Sequence, residues 1–287
     1  MVWSNWELGW PWLCLGGGLV LFVVMLFTNA MRNDLTVSRW RDPVWLAWLV
    51  VPMLMVHMFE EYGFDILGRT YVLPDSVCKN MGYPPYPDCP LPTAHYPLVN
   101  LGIAWVTAPL AALLARRNLV IGLSWYGLLI VNGILHVVAT LVGGLEAGSG
   151  VVVGALFSIP SFCWMVYVVL KSRVMSGKAL ALSVSGGVIA HFLLAAVYGL
   201  LKAGVYGATG VLVFDVVVIA TPLLVGWVGS KFLGQPPQEV PALRRSRTVA
   251  ECRPTRRCTR LATAGFAHFR ERVNSTVRRP INHSPRS

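Results

Sequence analysis

Six ionisable side chains stand inside long apolar runs of this sequence: His57, Glu60, Glu61, His136, His191 and Asp215. Two amides, Asn100 and Asn132, join them, and His95 stands just before the run that holds Asn100. Ionisable groups are costly in such surroundings, so each is a candidate for function. Their spacing is informative. His57 is three residues before Glu60 and four before Glu61, so on a helix all three share a face. Asn132 and His136 are also four apart. Bundle proteins use Glu-x-x-His-type spacing to present metal ligands to their cores. Imidazole nitrogen with carboxylate oxygen suits Zn²⁺, Fe²⁺ or Mn²⁺. We therefore expect His57, Glu60 and His136 to hold a divalent metal, with His191 or Asp215 completing the shell. Glu60, Glu61 and Asp215 are the expected catalytic carboxylates. Glu61 is read as a general base or as a partner of a ligand, since a carboxylate beside a metal-bound water can take its proton.

The elements that must position these groups are membrane-spanning helices. The chain is 287 residues long, 55% hydrophobic and only 13% charged. Soluble domains run nearer a quarter charged. Apolar stretches of about 20 residues, enough for a helix to cross a bilayer, recur along it. They fall at about 10–30, 43–62, 96–115, 118–142, 151–171, 179–201 and 209–230. The fold expected is an all-α polytopic bundle of about seven transmembrane helices. The first run has only Glu7 as a charge before it, so it reads as a retained helix and not a signal peptide. Gly16-Gly-Gly18 and Gly186-Gly187 are expected to allow close helix packing. Trp3, Trp6, Trp10, Trp12 and Trp40 read as interfacial anchors.

Loop charges give the helices a direction. Arg32, Arg39, Arg41, Arg116, Arg117, Lys171, Arg173 and Lys178 fall in alternate loops, against Arg69, Lys79 and Lys202 in the others. Positive residues favour the cytosolic side. The expected N-terminus is outside or lumenal and the C-terminus cytosolic. At about 1.5 Å per residue, every intramembrane polar residue then falls in the outer half, which predicts one polar chamber opening outward.

The formal charge of +11 belongs to the end of the chain, because residues 231–287 hold 13 Lys/Arg against 3 acids. That segment reads as a disordered basic tail attracted to anionic lipid. No aromatic-interleaved module supports a nucleic-acid partner, and Cys252 and Cys258 lack matching zinc ligands. Cys14 and Cys163 sit in apolar helices and are expected only to pack. The longest outer loop, about 63–95, carries Cys78 and Cys89 around a Pro- and Tyr-rich stretch. In an oxidising compartment these are expected to form a disulfide, worth roughly 2–3 kcal/mol through loop closure.

The segment His57-Met58-Phe59-Glu60-Glu61 resembles the signature of the HXXEE domain family, small multi-helix membrane proteins with that motif at the end of an early helix. Asn132-Gly-Ile-Leu-His136, Gly150-Val-Val-Val-Gly and Ile159-Pro160 resemble its second half, so the likeness covers about residues 45–172. The resemblance implies that His57, Glu60, Glu61 and His136 form a site, and it names no reaction.

The leading expectation is a membrane-embedded enzyme acting on an apolar or lipid-like molecule, such as a terpenoid or other secondary metabolite, with a divalent metal. A metal-free cyclase or isomerase using Glu60 or Asp215 as acid is one alternative. A transporter or lipid-binding protein is the other. No His-Glu-x-x-His pattern of an intramembrane zinc protease is present, and four histidines before residue 231 are too few for the His boxes of a membrane desaturase.

Overall fold

The computed structural model describes residues 5–86 and 88–233. The basic tail beyond Leu233, with Cys252 and Cys258, and the side chains of Trp3 and Trp6 lie outside what it describes. Eight helices organise the described chain: α1 (Asn5–Phe27), α2 (Pro43–Tyr62), α3 (Val72–Met81), α4 (His95–Leu114), α5 (Leu119–Gly143), α6 (Val151–Ser172), α7 (Gly177–Lys202) and α8 (Ala208–Leu233). All but α3 are long and apolar enough to cross a membrane, and no strand occurs among the described residues. The outward faces are apolar too: Val142 is 85% exposed and Phe232 84%. Such surface suits hydrocarbon rather than water.

Local chemistry sets the helix ends. Asp42 caps α2: its Oδ1 accepts from Val44 N and Trp45 N, its Oδ2 from Asn33 N and Asp34 N. Pro43 follows, in the first turn, where a missing N–H costs nothing. Asn118 caps α5 and Ser176 caps α7 by the same device. The α1 helix ends at Phe27, before the expected 30, where the Thr28 hydroxyl turns back to Val24 O. The α8 helix runs three residues past the expected 230.

Two helices change pitch. Gly102–Thr107 in α4 and Gly154–Ser158 in α6 form π-helical turns. Each lies just upstream of a proline, Pro109 or Pro160. A helix-interior proline lacks an N–H and crowds the carbonyl four residues back. A wider turn upstream relieves that conflict, and such turns often mark functional sites.

Small residues decide which helices touch. A Cβ on Gly127 of α5 would meet Val184 O of α7 at 1.8 Å, and one on Gly187 would meet Leu128 N at 2.3 Å. Gly18 of α1 is packed less tightly against α2, where a Cβ would lie 3.0 Å from Met55 Cβ and 3.2 Å from Pro52 O, whereas Gly16 faces open space. Trp10 also departs from the expectation. It is fully buried against Tyr62, with ring centroids 4.9 Å apart, while Trp12 and Trp40 are exposed as anchors would be. Cys14 is buried and Cys163 exposed.

The outer loop contains a helix that the hydropathy pattern does not reveal. The α3 helix is short, and it ends at Gly82, whose φ of +85° favours glycine. Cys78 in its last turn is bonded to Cys89. Its Leu73 and Val77, four residues apart, point with Ser76 and Asn80 into the cavity described below. The segment is a lid and not an open loop.

Candidate functional site

The α2 helix brings His57 and Glu61 to the end of the bundle that α3 covers, and α5 brings His136 to meet them. One ring nitrogen from each histidine and one Glu61 oxygen lie within 4.8 Å of one another. Glu61 Oε1 stands 3.2 Å from His57 Nε2 and 2.8 Å from His136 Nε2. All three residues are buried. The rings meet edge to face, with centroids 4.9 Å apart at 69°. His136 Nε2 has Glu61 Oε1 as its contact, and His57 Nδ1 is buried without a hydrogen-bond partner. A buried polar atom left unpaired calls for an explanation, and a bound ion is one. Metal bonds of about 2.0–2.1 Å at tetrahedral angles place ligand atoms about 3.3 Å apart. The two Glu61 contacts are close to such edges. Asn132 completes the near surroundings, with Nδ2 2.6 Å from His57 Nε2.

Glu60 does something else. Its Oε1 accepts from Val152 N and its Oε2 from Val153 N, both at 2.8 Å. These are free N–H groups of the first turn of α6, where a carboxylate is favoured by the helix dipole. Glu60 therefore ties the start of α6 to the end of α2. Glu60 is the expected ligand, but in the structure it is Glu61 that meets the two histidines, while both Glu60 oxygens face the adjoining helix. The residue that this tether positions is Gly150, with φ +84°. A Cβ there would lie 2.7 Å from His57 Cε1 and 3.0 Å from His136 Cε1. Backbone at Gly150 thus forms a wall pressed on both rings.

His57, Glu61, Asn132 and His136 open on a cavity of about 300 Å³ that His191 of α7 also lines. This volume is at the small end for ligand pockets. Apolar Leu54, Met58, Val99, Ile103, Leu128 and Leu194 supply much of the wall. Its polar groups converge from α2, α4, α5 and α7, and Glu60 and Asp215, expected in the same chamber, do not line it.

Asp215 is not in the His/Glu cluster. It is fully buried on α8, with its oxygens 3.0 and 2.9 Å from His95 Nδ1. His95 Nε2 lies 3.1 Å from the Tyr198 hydroxyl. His95 and Tyr198 line the cavity, and Asp215 stands behind them. The sequence puts His95 at the mouth of α4, whereas Tyr198 is a site residue that the sequence does not single out. The available signal was the seven-residue step from His191 to Tyr198, two helical turns that put both on one face of α7.

Over the cavity, the segment after α2 is pinned by Asp65. It accepts from the backbone of Leu67 and Arg69 and from the Arg69 guanidinium, with contacts of 2.6–2.9 Å. Arg69 also reaches Glu146 O at 3.0 Å, joining this segment to the loop before α6. Burial pushes the Asp65 carboxyl up, but these hydrogen bonds and the guanidinium charge outweigh it and hold it below its usual value. A lowered carboxyl value means that the contact is fully present above the ordinary Asp value of about 3.9 and is lost as pH falls through the lower one. Amide-exchange protection at Leu67 and Arg69 should therefore stay constant from about pH 5 to 8 and collapse only well below pH 4. Loss of protection between pH 5 and 6 would contradict this.

An all-helical, multi-pass membrane protein with a buried pair of histidines and a glutamate at a cavity is the class that fold and site define. Within it, residues 48–165 match the family model described as "Protein of unknown function with HXXEE motif". The match takes in His57, Glu60, Glu61, His95, His136 and Gly150, in agreement with the likeness read over about residues 45–172. His191, Tyr198 and Asp215 lie beyond it. No curated protein and no solved structure matches the chain.

Proposed function

We propose that this protein is a membrane-embedded enzyme that holds a divalent transition-metal ion on His57, Glu61 and His136 and acts on an apolar or lipid-like molecule in the cavity. The observation that carries the reading is the convergence of two buried imidazoles on one carboxylate oxygen, His57 Nε2 at 3.2 Å and His136 Nε2 at 2.8 Å. Two nitrogens and one oxygen suit zinc, iron or manganese. Such an ion, when bound, polarises a substrate oxygen or acidifies a water. The chain's own residues do the rest. Glu60 and Gly150 fix the rings, the apolar wall selects the substrate body, and α3 covers the cavity. His191 lines the same cavity and stands ready as a further ligand or substrate contact.

The metal-free reading with Glu60 or Asp215 as acid has less support. Both Glu60 oxygens are taken by backbone donors, Asp215 is taken by His95, and neither residue lines the cavity. The enzyme reading is tested by incubating nanodisc-embedded wild-type protein with an apolar extract of the host cells. At least one component should be consumed by the wild-type protein and spared by His57→Ala and His136→Ala. Identical extracts from folded wild-type and variant protein would overturn it and leave transport or lipid binding.

In the same reading the N-terminus faces outside or lumen and the C-terminus faces the cytosol, as the loop charges imply. A Glu146→Cys variant should then react with an impermeant maleimide on intact cells, and Lys178→Cys only after permeabilisation. The reverse pattern would invert the assignment.

A further inference from the structure

We propose that Tyr198 is a second catalytic residue of the cavity, a proton-transfer phenol activated by His95 and Asp215. The proposal rests on reading the cavity as a reaction site, but it does not depend on the metal.

The three side chains come from three helices, α7, α4 and α8, and stand up to 120 residues apart in sequence. They form one chain of hydrogen bonds, Asp215 to His95 to Tyr198, with His95 1% and Asp215 0% exposed. The tautomer that donates Nδ1–H to Asp215 leaves the Nε2 lone pair to accept from the Tyr198 hydroxyl. A carboxylate that orients an imidazole as base toward a hydroxyl is the arrangement that activates side-chain oxygens elsewhere. Here the activated group is a phenol, and it stands in the wall of the same cavity as His57, Glu61 and His136.

The packing supports a poised group over simple helix glue. A lone hydrogen bond between two helices would need neither a buried carboxylate nor a third residue, and burying a charge is expensive unless it has a task or a full set of partners. Tyr96 and Tyr62 line the same cavity, yet no imidazole is hydrogen-bonded to either hydroxyl among the described contacts. Tyr198 alone has that partner.

In the reaction, the Tyr198 oxygen takes a proton from a hydroxyl of the cavity-bound molecule while its own proton passes to His95 Nε2. Asp215 balances the imidazolium that results. The substrate oxygen is left as an alkoxide, and the reverse transfer restores the resting state. The substrate class is accordingly an apolar molecule bearing a hydroxyl.

No natural substrate is needed for the test. Phenylmethanesulfonyl fluoride is a small aryl electrophile. Attack by the Tyr198 oxygen forms an O–S bond, breaks the S–F bond, releases fluoride and sends the phenol proton to His95. Full-length protein in nanodiscs is treated with this reagent and each tyrosine is followed by peptide mass spectrometry. Tyr198 should be modified at least about 100-fold faster than Tyr62 or Tyr96, the lower end of what a positioned base contributes. Tyr198→Phe should remove that label. Asp215→Asn, which keeps the shape and removes the charge, and His95→Gln should each slow the label by at least about tenfold. Labelling of Tyr62 and the unfolding temperature report whether the cavity is intact in each variant, and metal content is counted in the same samples. Labelling of Tyr198 no faster than Tyr62 and Tyr96, or undiminished in a folded Asp215→Asn variant, would overturn the proposal. A protein without metal that still shows the fast Tyr198 label would refute the metal reading and leave this one standing.

Discussion

Replacing Glu61 by alanine is expected to weaken divalent-metal binding by more than about 100-fold, because loss of even an outer partner of a ligand typically costs 10- to 100-fold. The protein should remain folded, since Glu61 joins only His57 and His136 in the described contacts. Glu60→Gln should behave in the opposite way. The new amide can accept from one of the Val152 and Val153 N–H groups but turns a donor toward the other. A charge-assisted hydrogen bond lost from a buried pair costs about 1.5–3 kcal/mol, so Glu60→Gln should unfold at clearly lower temperature while retaining measurable metal binding. Dialysis against a range of free metal, read beside thermal unfolding, separates the two. If Glu60→Gln abolished binding in folded protein and Glu61→Ala left it intact, the roles assigned to the two carboxylates would be reversed.

Gly150→Ala is the second large effect. The added methyl would enter space already held by both histidine rings, and the backbone there has a positive φ. Strain at such a residue and overpacking each cost about 1–3 kcal/mol. The predicted loss is therefore about 2–4 kcal/mol of stability together with loss of the metal site, because relief requires the rings to move. Gly144 offers a control. Its φ is +74°, but nothing lies within 4 Å of where a Cβ would be. Gly144→Ala should show the backbone penalty alone and bind metal normally. Equal metal binding in both variants would mean that Gly150 does not set the ring positions.

The seven spans were legible because each is a long apolar run, and a bilayer imposes that length. The caps at Asp42, Asn118 and Ser176 were present in the sequence as residue types, and they fix the starts of three spans. The α3 helix was hidden because ten residues that include Pro74, Asp75 and Lys79 carry no spanning signal. Its helix depends on contacts to the cavity below and on the Cys78–Cys89 bond.

The site was legible in part. The four-residue steps from His57 to Glu61 and from Asn132 to His136 put each pair on one face. They could not decide between Glu60 and Glu61, since both share a face with His57. What separates them is where α5 and α6 stand: His136 takes Glu61 and the first turn of α6 takes Glu60. That information lies 75 or more residues away in the chain. The pairing of His95 with Asp215 was hidden for the same reason. Tyr198 was hidden for a different one, because a tyrosine near the end of a membrane helix reads first as an interfacial anchor.

The central claim is that His57, Glu61 and His136 together hold a metal ion, and X-ray absorption at the metal edge of full-length protein in nanodiscs tests it most directly. The account predicts about one zinc, iron or manganese ion per chain, in a shell of two imidazole nitrogens with carboxylate or water oxygen at about 2.0–2.2 Å. The imidazole signal should vanish in His57→Ala and His136→Ala. A protein purified without chelator that contains no stoichiometric metal, or one whose metal shows no imidazole in its shell, would contradict it.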